Sequence, residues 1–166
     1  MAKKMKIAGL TVDPSSNVPI VLLHDETGED ILPIWIGILE ASSIATQLEN
    51  IELARPMTHD LFASVLKQLG ARITKIVIND LNENTYFARI SLADREGRIF
   101  EIDARPSDSI AMALRAKADI YVEESVLEKA QRIDKKTLEE QQKTMEEKWK
   151  EFLENIDPDD LGKYRM

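Results

Sequence analysis

Ile73-Thr-Lys-Ile-Val-Ile78, Thr85-Tyr-Phe-Ala-Arg-Ile-Ser-Leu92 and Arg98-Ile-Phe-Glu-Ile-Asp103 follow one another, and Ser107-Asp-Ser-Ile-Ala-Met-Ala-Leu-Arg-Ala116 comes directly after them. The first three runs are β-branched and aromatic, with the period of two that half-buried strands show. In the middle run Tyr86, Ala88, Ile90 and Leu92 fall on one face, and Asp94-Arg-Glu-Gly97 reads as the tight turn to the third strand. The fourth run has helical spacing, with Ser107 as its expected cap, and Asp119-Ile-Tyr-Val-Glu123 returns to strand character. Strands grouped in succession, with helices interspersed irregularly, predict an α+β domain: a mixed, largely antiparallel sheet carrying three packed helices.

Upstream the same reading extends to a β-meander. Strands are expected over Met5 to Val12, Pro19 to His24 and Asp30 to Ile36, separated by Asp13-Pro-Ser-Ser-Asn17 and Glu26-Thr-Gly-Glu29. From Glu40 the apolar positions Ala41, Ile44, Ala45 and Leu48 change to helical spacing. A second helix fits Thr58 to Leu69, with Thr58 as cap, Gly70 as stop, and Leu61, Phe62, Val65, Leu66 and Leu69 on one face. The domain is read as residues 1–131. Residues 132–166 form a second region, rich in Glu, Lys and Gln, where Leu138, Met145, Trp149, Phe152 and Ile156 draw one apolar stripe along a helix. That stripe needs a partner surface, and a homodimer is the expected one.

Composition narrows the function. With 43% apolar and 31% charged residues the chain can fill a core and keep a wet surface. The absence of cysteine rules out disulfides, thiolate zinc sites and cysteine nucleophiles, so a metal would take oxygen or imidazole ligands. The basic start is soon interrupted by Asp13-Pro-Ser-Ser, and no window has the apolar length of a membrane span, so a cytoplasmic protein is expected. The net charge of −8 argues against a broad electrostatic grip on nucleic acid.

Two stretches echo each other: Ala54-Arg-Pro-Met-Thr-His-Asp60 and Ala104-Arg-Pro-Ser-Asp108. Each places Arg-Pro before a helix with an aspartate in its first turn. Helix-start chemistry accounts for the prolines, caps and aspartates. It does not account for the two arginines. The functional reading has Arg55 and Arg105 facing a phosphate beside anion-favouring helix N-termini, and His59 as general base or ligand. In that reading Asp60, Asp103 and Asp108 hold Mg2+ or Mn2+. The structural reading pairs the arginines with those aspartates and makes His59 a cap-region residue. Glu40 stands at a strand-to-helix turn, where a carboxylate either meets a ligand or complements a helix dipole. Trp35 is read as core or subunit interface and His24 as solvated.

Leu32-Pro-Ile-Trp-Ile-Gly37 with Glu40-Ala41, Arg55-Pro-Met-Thr-His-Asp-Leu61, Asp103-Ala-Arg-Pro-Ser-Asp-Ser-Ile-Ala111 and Ile120-Tyr-Val122 together resemble the bifunctional nuclease domain family, over roughly residues 5–131. The resemblance implies a nuclease acting on DNA and RNA. The reading kept beside it is a non-catalytic binding or regulatory module that oligomerises and engages a protein partner.

Overall fold

The computed structural model describes residues 1–130, 147–151 and 154–155. Seven strands form one sheet: β1 (Ala2–Val12), β2 (Pro19–Asp25), β3 (Ile31–Trp35), β4 (Arg72–Asn82), β5 (Thr85–Ala93), β6 (Ile99–Ala104) and β7 (Asp119–Glu123). Their spatial order is β3-β2-β1-β7-β4-β5-β6. Every neighbouring pair is antiparallel except β4 and β7, which run parallel with Ile76 opposite Ile120. The expected α+β class with a mixed, largely antiparallel sheet is therefore the one observed. β7 joins the N-terminal meander to the hairpins β4-β5-β6.

The helices are α1 (Ile38–Leu48), α2 (Thr58–Leu69), α3 (Pro106–Ala116) and the short α4 (Glu124–Lys129), which the sequence reading did not include. α3 packs over β4, β5 and β7 and touches both α1 and α2. Close approach between α1 and α3 follows from their small inward residues: Ala41, Ser42, Ser43 and Ala45 on one, Ser107, Ser109, Ala111 and Ala113 on the other, all buried. The main core between sheet and helices holds Leu32, Ile34, Ile44, Ile76, Ile78, Ala88, Ile90, Ile110, Met112 and Val122. Tyr86 and Leu92 pack against it, which completes the face predicted for β5.

Two helix starts lie upstream of their expected caps. α2 is capped at Met57, with Thr58 already inside the helix, because the Asp60 carboxylate accepts the Met57 amide at 3.0 Å and does the capping from the third helical position. α3 is capped at Arg105 with Pro106 as its first residue, so Ser107 is a buried helical residue and not the cap. Gly70 ends α2 as expected, in the left-handed conformation at φ 73°. A side chain there would also strike Arg95, whose guanidinium donates to the Gln68 carbonyl.

α2 does not bury the whole of its apolar face. Only Leu66 is buried, whereas Leu61, Phe62, Val65 and Leu69 are exposed. Trp35, expected in a core or an interface, is 45% exposed and donates its indole N–H to Asp13 at 3.0 Å. His24 is half-buried, with Nδ1 2.8 Å from the Asp25 carbonyl oxygen. Of the C-terminal stripe, Leu138, Met145, Phe152 and Ile156 lie outside the described residues. Trp149 is described, in a helical stretch over 147–151, and packs against the main core.

Candidate functional site

Three helices bring their polar residues to one place. α1 contributes Glu40 and Ser43, which lie three apart and so share a helix face. The first turn of α2 contributes His59 and Asp60, and the first turn of α3 contributes Asp108 beside its cap Arg105. The two Arg-Pro segments thus meet, through the His59–Asp108 contact.

The His59 ring is 15% exposed and engaged at both nitrogens: Nε2 lies 2.8 Å from Asp108 Oδ1, and Nδ1 lies 2.7 Å from Ser43 Oγ. An ionised carboxylate only accepts, so Nε2 carries a proton; in the neutral ring Nδ1 then accepts the Ser43 hydroxyl. Ser43, His59 and Asp108 therefore form a hydroxyl–imidazole–carboxylate chain along which a proton can move from Ser43 Oγ to Nδ1. Asp108 is held from its other side by Arg105, whose Nε donates to Oδ2 at 2.8 Å while a terminal nitrogen donates to Oδ1 at 3.2 Å. Burial works to raise the Asp108 pKa, but the hydrogen bonds from Arg105 and His59 outweigh it and hold the carboxyl below its ordinary value. Arg105 also reaches Glu40 at 2.9 Å and keeps most of its side chain in solvent.

A second, deeper pair lies behind the first. Arg115, 5% exposed near the end of α3, donates Nε to Asp60 Oδ1 at 2.7 Å and a terminal nitrogen to the Ala111 carbonyl at 2.9 Å. Its terminal nitrogens also lie 3.4 Å from the Ser43 carbonyl of α1, so one guanidinium ties α1, α2 and α3 together. For Asp60 too, burial raises the pKa and is outweighed, here by Arg115, the Met57 amide and the nearby His59.

The remaining candidates stand apart. Arg55 lies in the α1–α2 loop, exposed and with no ion pair or side-chain hydrogen bond among the described residues. Both first-turn aspartates occupy the third helical position, but Arg105 is the cap of its helix while Arg55 lies two residues before the cap of α2. Asp103 pairs with Arg89 in register on β6. Its strand neighbours Ile102 and Ala104 sit beside the core residues Ile90 and Ala88, so alternation sends Asp103 to the sheet face away from the helices. Among the described residues no three His, Asp or Glu side chains form a group able to hold a metal ion. Ser43 and Arg115 carry no motif signal; only the i, i+3 spacing of Ser43 from Glu40 hints at a shared polar face.

The chain matches the bifunctional nuclease domain family over residues 21–135. An uncharacterized protein of Mycobacterium tuberculosis is 39% identical over 163 residues, covering 95% of this chain and 97% of its own length. Bifunctional nuclease 1 of rice (Oryza sativa subsp. japonica) is 26% identical over 112 residues, 66% of this chain and 34% of the rice protein. Bifunctional nuclease 2 of Arabidopsis thaliana is 26% identical over 106 residues, 62% of this chain and 32% of the plant protein. The matched span runs from β2 past α4 and contains all of the cluster around His59, so this chain belongs to the bifunctional nuclease domain family.

Proposed function

We propose that the chain is a nuclease that hydrolyses phosphodiester bonds of DNA and RNA where α1, α2 and α3 meet. The observation that carries this reading is His59, held between a hydroxyl and a carboxylate where the two Arg-Pro segments of a nuclease-named family converge. An attacking water gives a proton to Ser43 Oγ as Ser43 passes its own to His59 Nδ1. The water oxygen bonds to phosphorus, the ester P–O bond breaks, and the stored proton returns to the leaving oxygen. Asp108 stabilises the transient imidazolium. Arg105, and Arg55 from the adjoining loop, meet the charge on the phosphoryl oxygens.

Dependence on Mg2+ or Mn2+ is part of the proposal because such ions commonly assist this reaction. Asp60, Asp103 and Asp108 do not form a ready ligand set, since the first and last are closed by arginines and Asp103 faces the other way.

The second reading, a non-catalytic binding or regulatory module, is favoured by those same closed pairs and by the net charge of −8. Extensively purified protein assayed on single-stranded DNA and RNA with Mg2+, Mn2+ or EDTA separates the two. The nuclease reading expects cleavage that falls by ~100-fold or more in His59→Ala and drops in Arg105→Ala. Equal turnover in wild type, His59→Ala and Asp108→Asn would assign the cleavage to a contaminant and leave the module. Full activity in EDTA would remove the cation.

A further inference from the structure

α2 has an apolar face much wider than the part it buries. At 100° per residue, Leu61, Val65, Leu69 and Phe62 fall within an arc of about 100°. Leu66 and Ala63 continue that arc toward the core, where they pack. The first four side chains are left open, from 38% exposed at Phe62 to 67% at Leu69.

The helix is pinned at both ends along the last strand of the sheet. Its first turn is held at the start of α3 by the His59–Asp108 contact, directly after β6 ends. Its last turn is held by Arg95, which donates to the Gln68 carbonyl from the β5–β6 turn, just before β6 begins. Twelve helical residues span about 18 Å and six strand residues about 20 Å, so α2 lies along the length of β6. β6 is an edge strand. On its helix-bearing side Phe100 and Ile102 are 46% and 42% exposed, next to Leu92 and Ile90. Among the described residues, the open strand edge, the two large apolar side chains beside it and the four of α2 thus lie along the same margin of the sheet.

We infer that this surface, α2 together with β6, is the interface of a homodimer. A strand edge pairs with a second copy of itself when a two-fold axis stands perpendicular to the sheet, because that operation makes the strands antiparallel and keeps each face continuous. The same axis brings one α2 stripe toward the other. The six side chains expose on the order of 500 Å2 of apolar surface. A standard interface buries roughly 800 Å2 per partner, about 60–65% of it apolar, so the patch matches what a stable dimer needs. None of the six is charged, and the acidic residues of β6, Glu101 and Asp103, alternate to the other face of the sheet, away from the six; a bare edge like this left in solvent would invite disordered pairing.

Sedimentation equilibrium at ~10 μM should give twice the 18.9 kDa chain mass, and Val65→Lys/Leu69→Lys should give the single chain mass with unchanged far-UV circular dichroism. Ile102→Lys, on the other element, should dissociate the dimer independently. Hydrogen exchange of the wild type should show β6 amides gaining protection as protein concentration rises, a readout that does not depend on any variant folding. A wild-type monomer at ~100 μM would overturn the proposal. So would a dimer that survives both the α2 and the β6 substitutions, or β6 amides that exchange at a rate independent of concentration.

Discussion

Arg115 and Asp60 have unequal access to water, and that inequality sets what each substitution costs. Arg115 is nearly buried, so losing its carboxylate partner strands a guanidinium in the junction of three helices, while Asp60 is more open and can turn to solvent. Asp60→Ala should therefore destabilise by about 3 kcal/mol, including the lost cap on Met57, and Arg115→Met by only about 1 kcal/mol because the stem still packs. Urea unfolding at neutral pH measures both, and equal costs would show that the pair is as wet at one end as at the other. The exposed Lys129–Asp80 pair is the internal control, with Lys129→Ala expected to leave the unfolding midpoint nearly unchanged. Asp60 and Asp108 both have folded pKa values below their ordinary ones, so each contributes stability that is fully present above the unfolded value. It is lost as pH falls through the lower folded value. The melting temperature should stay level from pH 7 to about 5 and fall below about 4, and Asp60→Asn should flatten the acid limb.

Most of the elements could be read in the sequence, because strand and helix periods are local properties of Ile73 to Ala116 and of the meander before it. Their partners could not. The stripe on α2 was visible as Leu61, Phe62, Val65, Leu66 and Leu69, but periodicity reports an apolar face without saying whether one chain covers it. Helix starts were legible to within a turn and their caps were not, since Asp60 caps from the third position where Thr58 was expected to cap from the first. At the site, Glu40, His59, Asp108 and Arg105 stood in recognisable motifs, whereas Ser43 and Arg115 act through contacts 16 and 55 residues away in sequence. The β4–β5 hairpin shows what an absent glycine hides. Asn82 pairs with Thr85, so Glu83 and Asn84 form a two-residue loop, and both have positive φ, 47° and 63°. A glutamate in that conformation is strained, so replacing Glu83-Asn84 by Asn-Gly should stabilise the chain by roughly 0.5–1 kcal/mol. The melting temperature should rise by roughly 2 °C. No rise would mean that Glu83 makes a compensating contribution in the folded state.

At the scale of the whole molecule, charge decides how nucleic acid would be held. With 22 basic against 30 acidic residues, the chain has no long-range attraction for a polyanion, so any affinity must be concentrated in a few cations at the site. Under the proposed function the candidates are Arg105, the cap of α3, and Arg55, in the loop before α2, and the net acidity of the chain slows encounter without touching such local contacts. Two phosphate contacts release two counterions, so binding of a single-stranded oligonucleotide should weaken with salt at a log–log slope of about −1.4. Removing one of the two arginines as Arg55→Ala should reduce the slope by about 0.7, and the doubly substituted chain should bind with almost no salt dependence. Fluorescence anisotropy between ~50 and ~200 mM salt reads both quantities. A slope steeper than about −4 would mean that a wider basic track is engaged and that the Arg-Pro segments are not the main phosphate contacts. An unchanged slope in Arg55→Ala would take that residue out of the interface and leave Arg105 as the cation that reads the phosphate.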